Sequence, residues 1–158
     1  MVKLYKKSGK ETHYWETWEK DKKTAIVHRG VVGTYGENKE INYTIFSNFR
    51  KQIQIEIDKV IAEGFNAIDL SDHVILAIEF RIAKKTKSID VAEKLQKLEE
   101  RMNALLGWTG LGHCGGVENG SQVICYVVDE KIAKKVIQEN LENTVWGDYK
   151  RIYKVTPR

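Results

Sequence analysis

Apolar and polar positions along the chain follow two rhythms. Up to about residue 45 the apolar positions come in short runs broken by turn chemistry, the pattern of strands. Residues 2–6 read as a first strand, and Ser8, Gly9 and Lys10 as a turn. Residues 13–19 hold Tyr14, Trp15 and Trp18 among threonines, which suits a pleated, half-buried surface. After a charged turn at 19–23, residues 24–32 read as a third strand with apolar side chains on both faces. Gly33 and Gly36 lie in a loop, and residues 39–45 are the fourth strand. The period then becomes helical. Ser47 and Asn48 are N-cap residues, and Phe49, Ile53, Ile57, Val60 and Ile61 form one stripe. Gly64 stands where a C′ glycine belongs, and Phe65 is placed to pack back on the stripe. Residues 1–68 are thus expected to form a domain of four strands and one helix, and polar residues 66–72 to connect it to the next.

The second domain, residues 72–158, reads strand, helix, strand, strand, helix, strand. Residues 73–83 alternate, with Val74, Leu76, Ile78, Phe80 and Ile82 on one face and Glu79 and Arg81 on the other. Ser88 opens a helix whose stripe is Val91, Leu95, Leu98, Met102 and Leu105, ending at Gly107. Residues 122–128 form an apolar strand. Asp129 caps a helix carrying Ile132, Ala133, Val136, Ile137 and Leu141, and residues 149–155 close the sheet. This βαββαβ order is the ferredoxin-like one, and the fold class is α+β. Val123, Cys125 and Val127 alternate with Ile124, Tyr126 and Val128, so both faces of that strand are apolar. The face without helices is expected to be covered, by the first domain or by a second subunit.

The chain has 158 residues, 42% hydrophobic and 30% charged, which excludes a disordered or low-complexity protein. No apolar run approaches the roughly 18 residues that span a bilayer, and no apolar leader opens the chain. With only two cysteines the expectation is a cytoplasmic protein in a reducing compartment, not at a membrane. The net charge of +4 is spread evenly, 12 basic against 10 acidic residues through Asp69 and 14 against 12 beyond it. That balance permits nucleic-acid binding without demanding it.

Residues 107–120 hold six of the twelve glycines. Gly110, Gly112 and Gly115 match the string GxGxxG, but a helix precedes them and a strand follows. Dinucleotide binding needs the reverse. Asn119-Gly120 is a hairpin signal. A two-residue turn there sets Glu118 against Ser121, Gly116 against Val123 and Cys114 against Cys125. The cysteines are then a cross-strand pair read as buried thiols, with a disulfide or half a metal site as alternatives. His113 points to the opposite face from Cys114, so the two cannot form a nucleophile–base pair. His13, His28 and His73 are scattered and read as surface or structural residues. No catalytic constellation, metal site or cofactor motif follows from the residues. Trp108 and Trp146 lie near the expected helix ends, where Trp108 could wall a cleft.

The stretch Arg29-Gly30-Val31-Val32-Gly33, with Gly36 beyond it, Tyr14-Trp15-Glu16 before it and a helix ending Glu63-Gly64-Phe65 after it, resembles a WGR domain over residues 1–66. That family is named for a Trp-Gly-Arg-Val-Gly stretch and occurs beside poly(ADP-ribose) polymerase domains and in bacterial proteins, where it is implicated in nucleic-acid binding. Gly30, Val32, Gly33 and Gly36 match; the family tryptophan is Arg29 here and its arginine is Val31. The resemblance therefore implies the fold more than the contact residues, and leaves Arg29 and Lys39 as candidates for phosphate. Residues 73–155, with Gly107-Trp108-Thr109-Gly110 and Cys125-Tyr126-Val127-Val128, resemble a bacterial ferredoxin-like family that supplies architecture and no catalytic residue.

The expectation is a non-enzymatic binding protein whose partner is nucleic acid or another protein. Trp108, His113, Ile124 and Tyr126 are the candidate ligand or interface residues of the second domain, through whose sheet a homodimer would form. The alternatives are an enzyme or small-ligand binder using residues 107–116, and a structural oligomerisation module.

Overall fold

The computed structural model describes residues 1–44, 48–82 and 88–156. The expected strand ends at Ile45 and Ala83, the cap at Ser47, the lysines at 84–87 and the side chain of Ser88 lie outside the described residues. Among the described residues the fold is α+β, with three α-helices and two four-stranded antiparallel sheets. The chain divides into two compact units, Met1–Ile68 and Asp69–Arg158. No helix among the described residues is long and apolar enough to cross a membrane.

In the first unit β1 (Val2–Ser8), β2 (Glu11–Glu19), β3 (Thr24–Val31) and β4 (Glu37–Asn42) pair in chain order. Helix α1 (Phe49–Ala62) follows, opened by Asn48, whose side chain accepts the Lys51 N–H at 3.2 Å. Pairing sets Leu4 opposite Trp15, Trp15 opposite Arg29, and Val27 opposite Lys39. These residues therefore share one sheet face. Leu4 and Trp15 on that face, with Val2 and Val27, pack against Ile53, Ile57, Val60 and Phe65. Fully burying an aliphatic side chain of this kind stabilises by about 1.5–3 kcal/mol. Ile61 is not part of this core, being 47% exposed. It stands 100° round the helix from Val60, and the i, i+4, i+7 stripe of Ile53, Ile57 and Val60 already meets the sheet. β4 begins at Glu37, two residues earlier than the pattern predicts, because pairing resumes directly after the Gly36 turn, and it ends at Asn42, short of the expected 45, where its pairing with Thr24 at the start of β3 runs out. β1 is closed on its outer edge by reciprocal backbone bonds between Tyr5 and Asn66, both 2.8 Å.

The opposite face of this sheet holds a buried polar network. His28 is fully buried and sits directly across from Glu16. Its Nδ1 lies 2.6 Å from Glu16 Oε1, and its Nε2 lies 2.6 Å from the Tyr35 carbonyl. A carbonyl only accepts, so Nε2 donates to it, and Nδ1 faces the Glu16 carboxyl. Lys3 Nζ reaches Glu16 Oε2 at 3.2 Å. The Tyr14 hydroxyl lies 3.0 Å from His28 Nε2 and donates to the Thr34 carbonyl at 3.1 Å. Burial, helped by Glu16, pushes the Tyr14 hydroxyl up to about 12. Two successive carbonyls of the loop after β3 are thus held by buried side chains. Gly36 closes that loop at φ +63°, and a Cβ there would collide with the Tyr14 hydroxyl and the Arg29 carbonyl.

In the second unit β5 (Val74–Glu79), α2 (Ser88–Trp108), β6 (Gly112–Glu118), β7 (Gln122–Val127), α3 (Glu130–Leu141) and β8 (Arg151–Lys154) build a sheet in the order β6-β7-β5-β8. Every neighbouring pair is antiparallel. Leu76, Ile78, Val123, Cys125 and Val127 on the sheet, Leu95, Leu98 and Met102 on α2, and Ala133, Ile137 and Leu141 on α3 are buried. The helices meet where Arg101 Nε donates to Asn140 Oδ1 at 2.7 Å. Asp129 caps α3 by accepting the Ile132 N–H at 2.8 Å.

Three expectations are corrected here. Helix α2 does not stop at Gly107. It runs to Trp108, and the chain turns at Gly110, φ +67°. β5 ends at Glu79, and Ile82 is 46% exposed. The hairpin register differs near its turn: Glu118 pairs with Gln122 and Gly116 with Ile124. The Ser121 carbonyl is taken instead by the Phe80 N–H of the neighbouring chain segment, at 2.9 Å. A bulge between Cys114 and Gly116 reverses the shift, so Cys114 still faces Cys125.

Candidate functional site

α1 covers only part of the sheet face that it packs on. Beside it lies a cleft of about 980 Å³. Its apolar floor includes Trp15, Val27, Ile41, Val60 and Phe65. Arg29 and Lys39 line it from β3 and β4, with Glu37 beside them, and Glu56 and Lys59 line it from α1 and Glu63 from its C-cap. The strand alternation explains the first group: the face that buries Trp15 and Val27 also carries His13, Arg29, Glu37 and Lys39. The helical period explains the second, because 56, 59, 60 and 63 recur on one side of α1.

The basic side chains of the cleft differ in their engagement. Lys59 Nζ is held by Glu56 at 2.8 Å, a bond that raises the ammonium's affinity for its proton. His13 lies 3.6 Å from Glu11. Arg29 and Lys39 are exposed, and among the described residues neither has an ion-pair partner. Counted over the lining, Arg29, Lys39 and Lys59 are matched by Glu37, Glu56 and Glu63. The cleft is therefore amphipathic and close to charge-neutral, without the one-signed field that draws in a polyanion.

Of the residues singled out from sequence, Arg29 and Lys39 come together on this cleft. Glu37, Glu56, Lys59 and Glu63 were not singled out, and His13 and Phe65 were read as structural rather than site residues, although the phase of the alternation through Trp15 and Val27 carries the signal for the strand residues. The candidates of the second unit lie on other features. His113 is exposed and stacks on the half-buried Tyr126 at 5.3 Å between ring centroids. His73 meets His113 edge-on at 6.2 Å. Ile124 is only 3% exposed and sits opposite Ala77. Trp108, 42% exposed, ends α2, whereas Trp146 is held by its Nε1–H bond to the Lys94 carbonyl at 3.0 Å. Much of the Gly-rich segment completes the β6–β7 hairpin. A Cβ at Gly115 would enter the Tyr126 ring, so its glycine serves packing. Among the described residues no group of three or more His, Cys, Asp or Glu is placed to hold a metal ion.

Comparison of the chain with known protein families, with curated proteins and with solved structures finds no match in any of the three.

Proposed function

We propose that the protein works by binding rather than by catalysis, and that its partner is a polypeptide segment seated in the cleft of the first unit. The carrying observation is the composition of that cleft: an apolar floor rimmed by equal numbers of cations and carboxylates. A peptide brings both signs of charge and apolar side chains, and can answer all three features. A phosphate backbone would meet a carboxylate for every cation. Glu56 is engaged by Lys59, which leaves it poorly placed for acid–base work. The four-stranded sheet with one helix is what the WGR-like reading expects of residues 1–68, and the order β6-β7-β5-β8 is what the ferredoxin-like reading expects of residues 72–158.

Nucleic acid is the second reading, favoured by Arg29 and Lys39, which lack ion-pair partners among the described residues. Two experiments separate the readings. Panning a random-peptide display library on the protein should enrich related peptides whose binding is lost in Arg29→Glu. Anisotropy titrations with duplex and single-stranded DNA and RNA, at low and near-physiological salt, should show no binding at the higher salt. Tight, steeply salt-dependent binding without peptide enrichment would replace the polypeptide reading with the nucleic-acid one.

A further inference from the structure

We propose that Cys114 and Cys125 form a reversible dithiol–disulfide site in the second unit, with Cys114 as the attacking thiol and Cys125 as the resolving one. Both are free cysteines, directly opposite each other on β6 and β7, with their sulfurs 3.6 Å apart. The ladder around them sets the backbone spacing. Val128 N–H donates to the Leu111 carbonyl at 2.9 Å, while the Cys114 N–H turns outward to Asn103 Oδ1 at 3.1 Å. Cys114 and Cys125 are therefore a non-hydrogen-bonded pair, the kind whose Cα atoms stand about 4.5 Å apart. That lies inside the range of about 4.4–6.8 Å that a disulfide spans. Closing the bond needs side-chain rotation and little backbone movement. β6 is an edge strand and its bulge follows Cys114 immediately, so what movement is needed falls on one strand.

The two thiols differ in access. Cys114 is half-buried at the sheet edge, and Cys125 is fully buried. The hydrogen bond with Cys114, together with burial, pushes the Cys125 thiol up, so it waits as the protonated partner. The oxidant is a small-molecule disulfide, RSSR. The Cys114 thiolate attacks one of its sulfurs, forming Cys114–S–S–R and releasing RS⁻. Cys125 then gives up its proton and attacks the Cys114 sulfur, expelling the second RS⁻. Two electrons and two protons pass from the cysteines to RSSR, which leaves as two RSH. Excess RSH reverses both steps.

The test is to equilibrate the full chain with graded ratios of reduced to oxidised glutathione, block free thiols by alkylation, and read intact and peptide masses. The wild type should lose two hydrogens, yield a peptide pair linked through Cys114 and Cys125, and retain no glutathione. Cys125→Ser should stop at a glutathione adduct on Cys114, and Cys114→Ser should react far more slowly than either. Two alkylatable thiols surviving in excess oxidised glutathione, or a product linked only between molecules, would overturn the proposal. So would a folded Cys125→Ser variant without an adduct. The wild-type arm decides the matter even where a variant does not fold.

Discussion

Replacing His28 by leucine tests the network that holds the loop beside the cleft. The side chain is fully buried and bridges Glu16 Oε1 and the Tyr35 carbonyl, each at 2.6 Å. Removing one partner of a buried hydrogen-bonded pair costs about 1–3 kcal/mol for each polar group left unsatisfied, and here the Glu16 carboxyl and the Tyr35 carbonyl both lose the imidazole. Two features pull the expected figure to the low end. Lys3 remains 3.2 Å from the second Glu16 oxygen, and Tyr35 is 62% exposed, which gives water a route to its carbonyl. The expected loss is about 3 kcal/mol, roughly a hundredfold in the unfolding constant. Glu16→Met should cost a similar amount by orphaning the imidazole. The double variant should cost less than the sum of the singles, since neither member of the pair is left facing the other's apolar replacement and only Lys3 and the Tyr35 carbonyl lose a partner. Urea unfolding followed by tryptophan fluorescence is the assay: Trp18 lies 6.4 Å from His28 edge-on, and Trp15 is in the core of the same unit. A cost below about 1 kcal/mol for His28→Leu, or a double variant equal to the sum of the singles, would refute the coupling.

Other consequences are open to the same methods. The folded Tyr14 hydroxyl titrates at about 12 against 10.0 for the free group, so the folded state keeps its proton longer. Its contribution to stability is complete below pH 10 and is lost as pH rises toward 12; Tyr14→Phe should flatten that part of a stability–pH curve, read from urea midpoints. Gly36→Ala places a Cβ against the Arg29 carbonyl at positive φ and should cost about 2 kcal/mol or more, measured by thermal unfolding, with the loss confined to the first unit in hydrogen exchange. Asp129→Ala removes the α3 cap and should cost about 1 kcal/mol in urea unfolding of the second unit, with Asp129→Asn close to neutral.

Where the pattern was legible and where it was not follows from the range of the interactions. Strands and helices could be read because their periods are local: Leu95, Leu98 and Met102 share a stripe whatever else the chain does, and all are buried. Asn119-Gly120 announced a hairpin, and the cysteine pairing was legible because two register shifts cancel between the turn and Cys114. The shifts themselves were not, since near one of them the Ser121 carbonyl accepts the N–H of Phe80, a residue about forty positions earlier in the chain. His28 looked like an isolated histidine because its partner Glu16 meets it only across the β2–β3 ladder. The cleft was hidden for the same reason. Arg29 and Lys39 were picked out singly, but the carboxylates that balance the charge of the lining come from β4, from α1 and from its C-cap. Only the paired strands and the placement of α1 bring residues 29, 39, 56 and 63 to one opening.

The most direct test of the binding cleft is a map of backbone amide shifts in isotopically labelled protein titrated with a peptide taken from the display selection. Shifts grouped on Arg29, Gly36, Lys39, Lys59 and Phe65, and abolished by Arg29→Glu in a variant of unchanged stability, are the predicted result. Shifts that leave those residues still and gather elsewhere would place the binding surface outside the cleft and contradict the account.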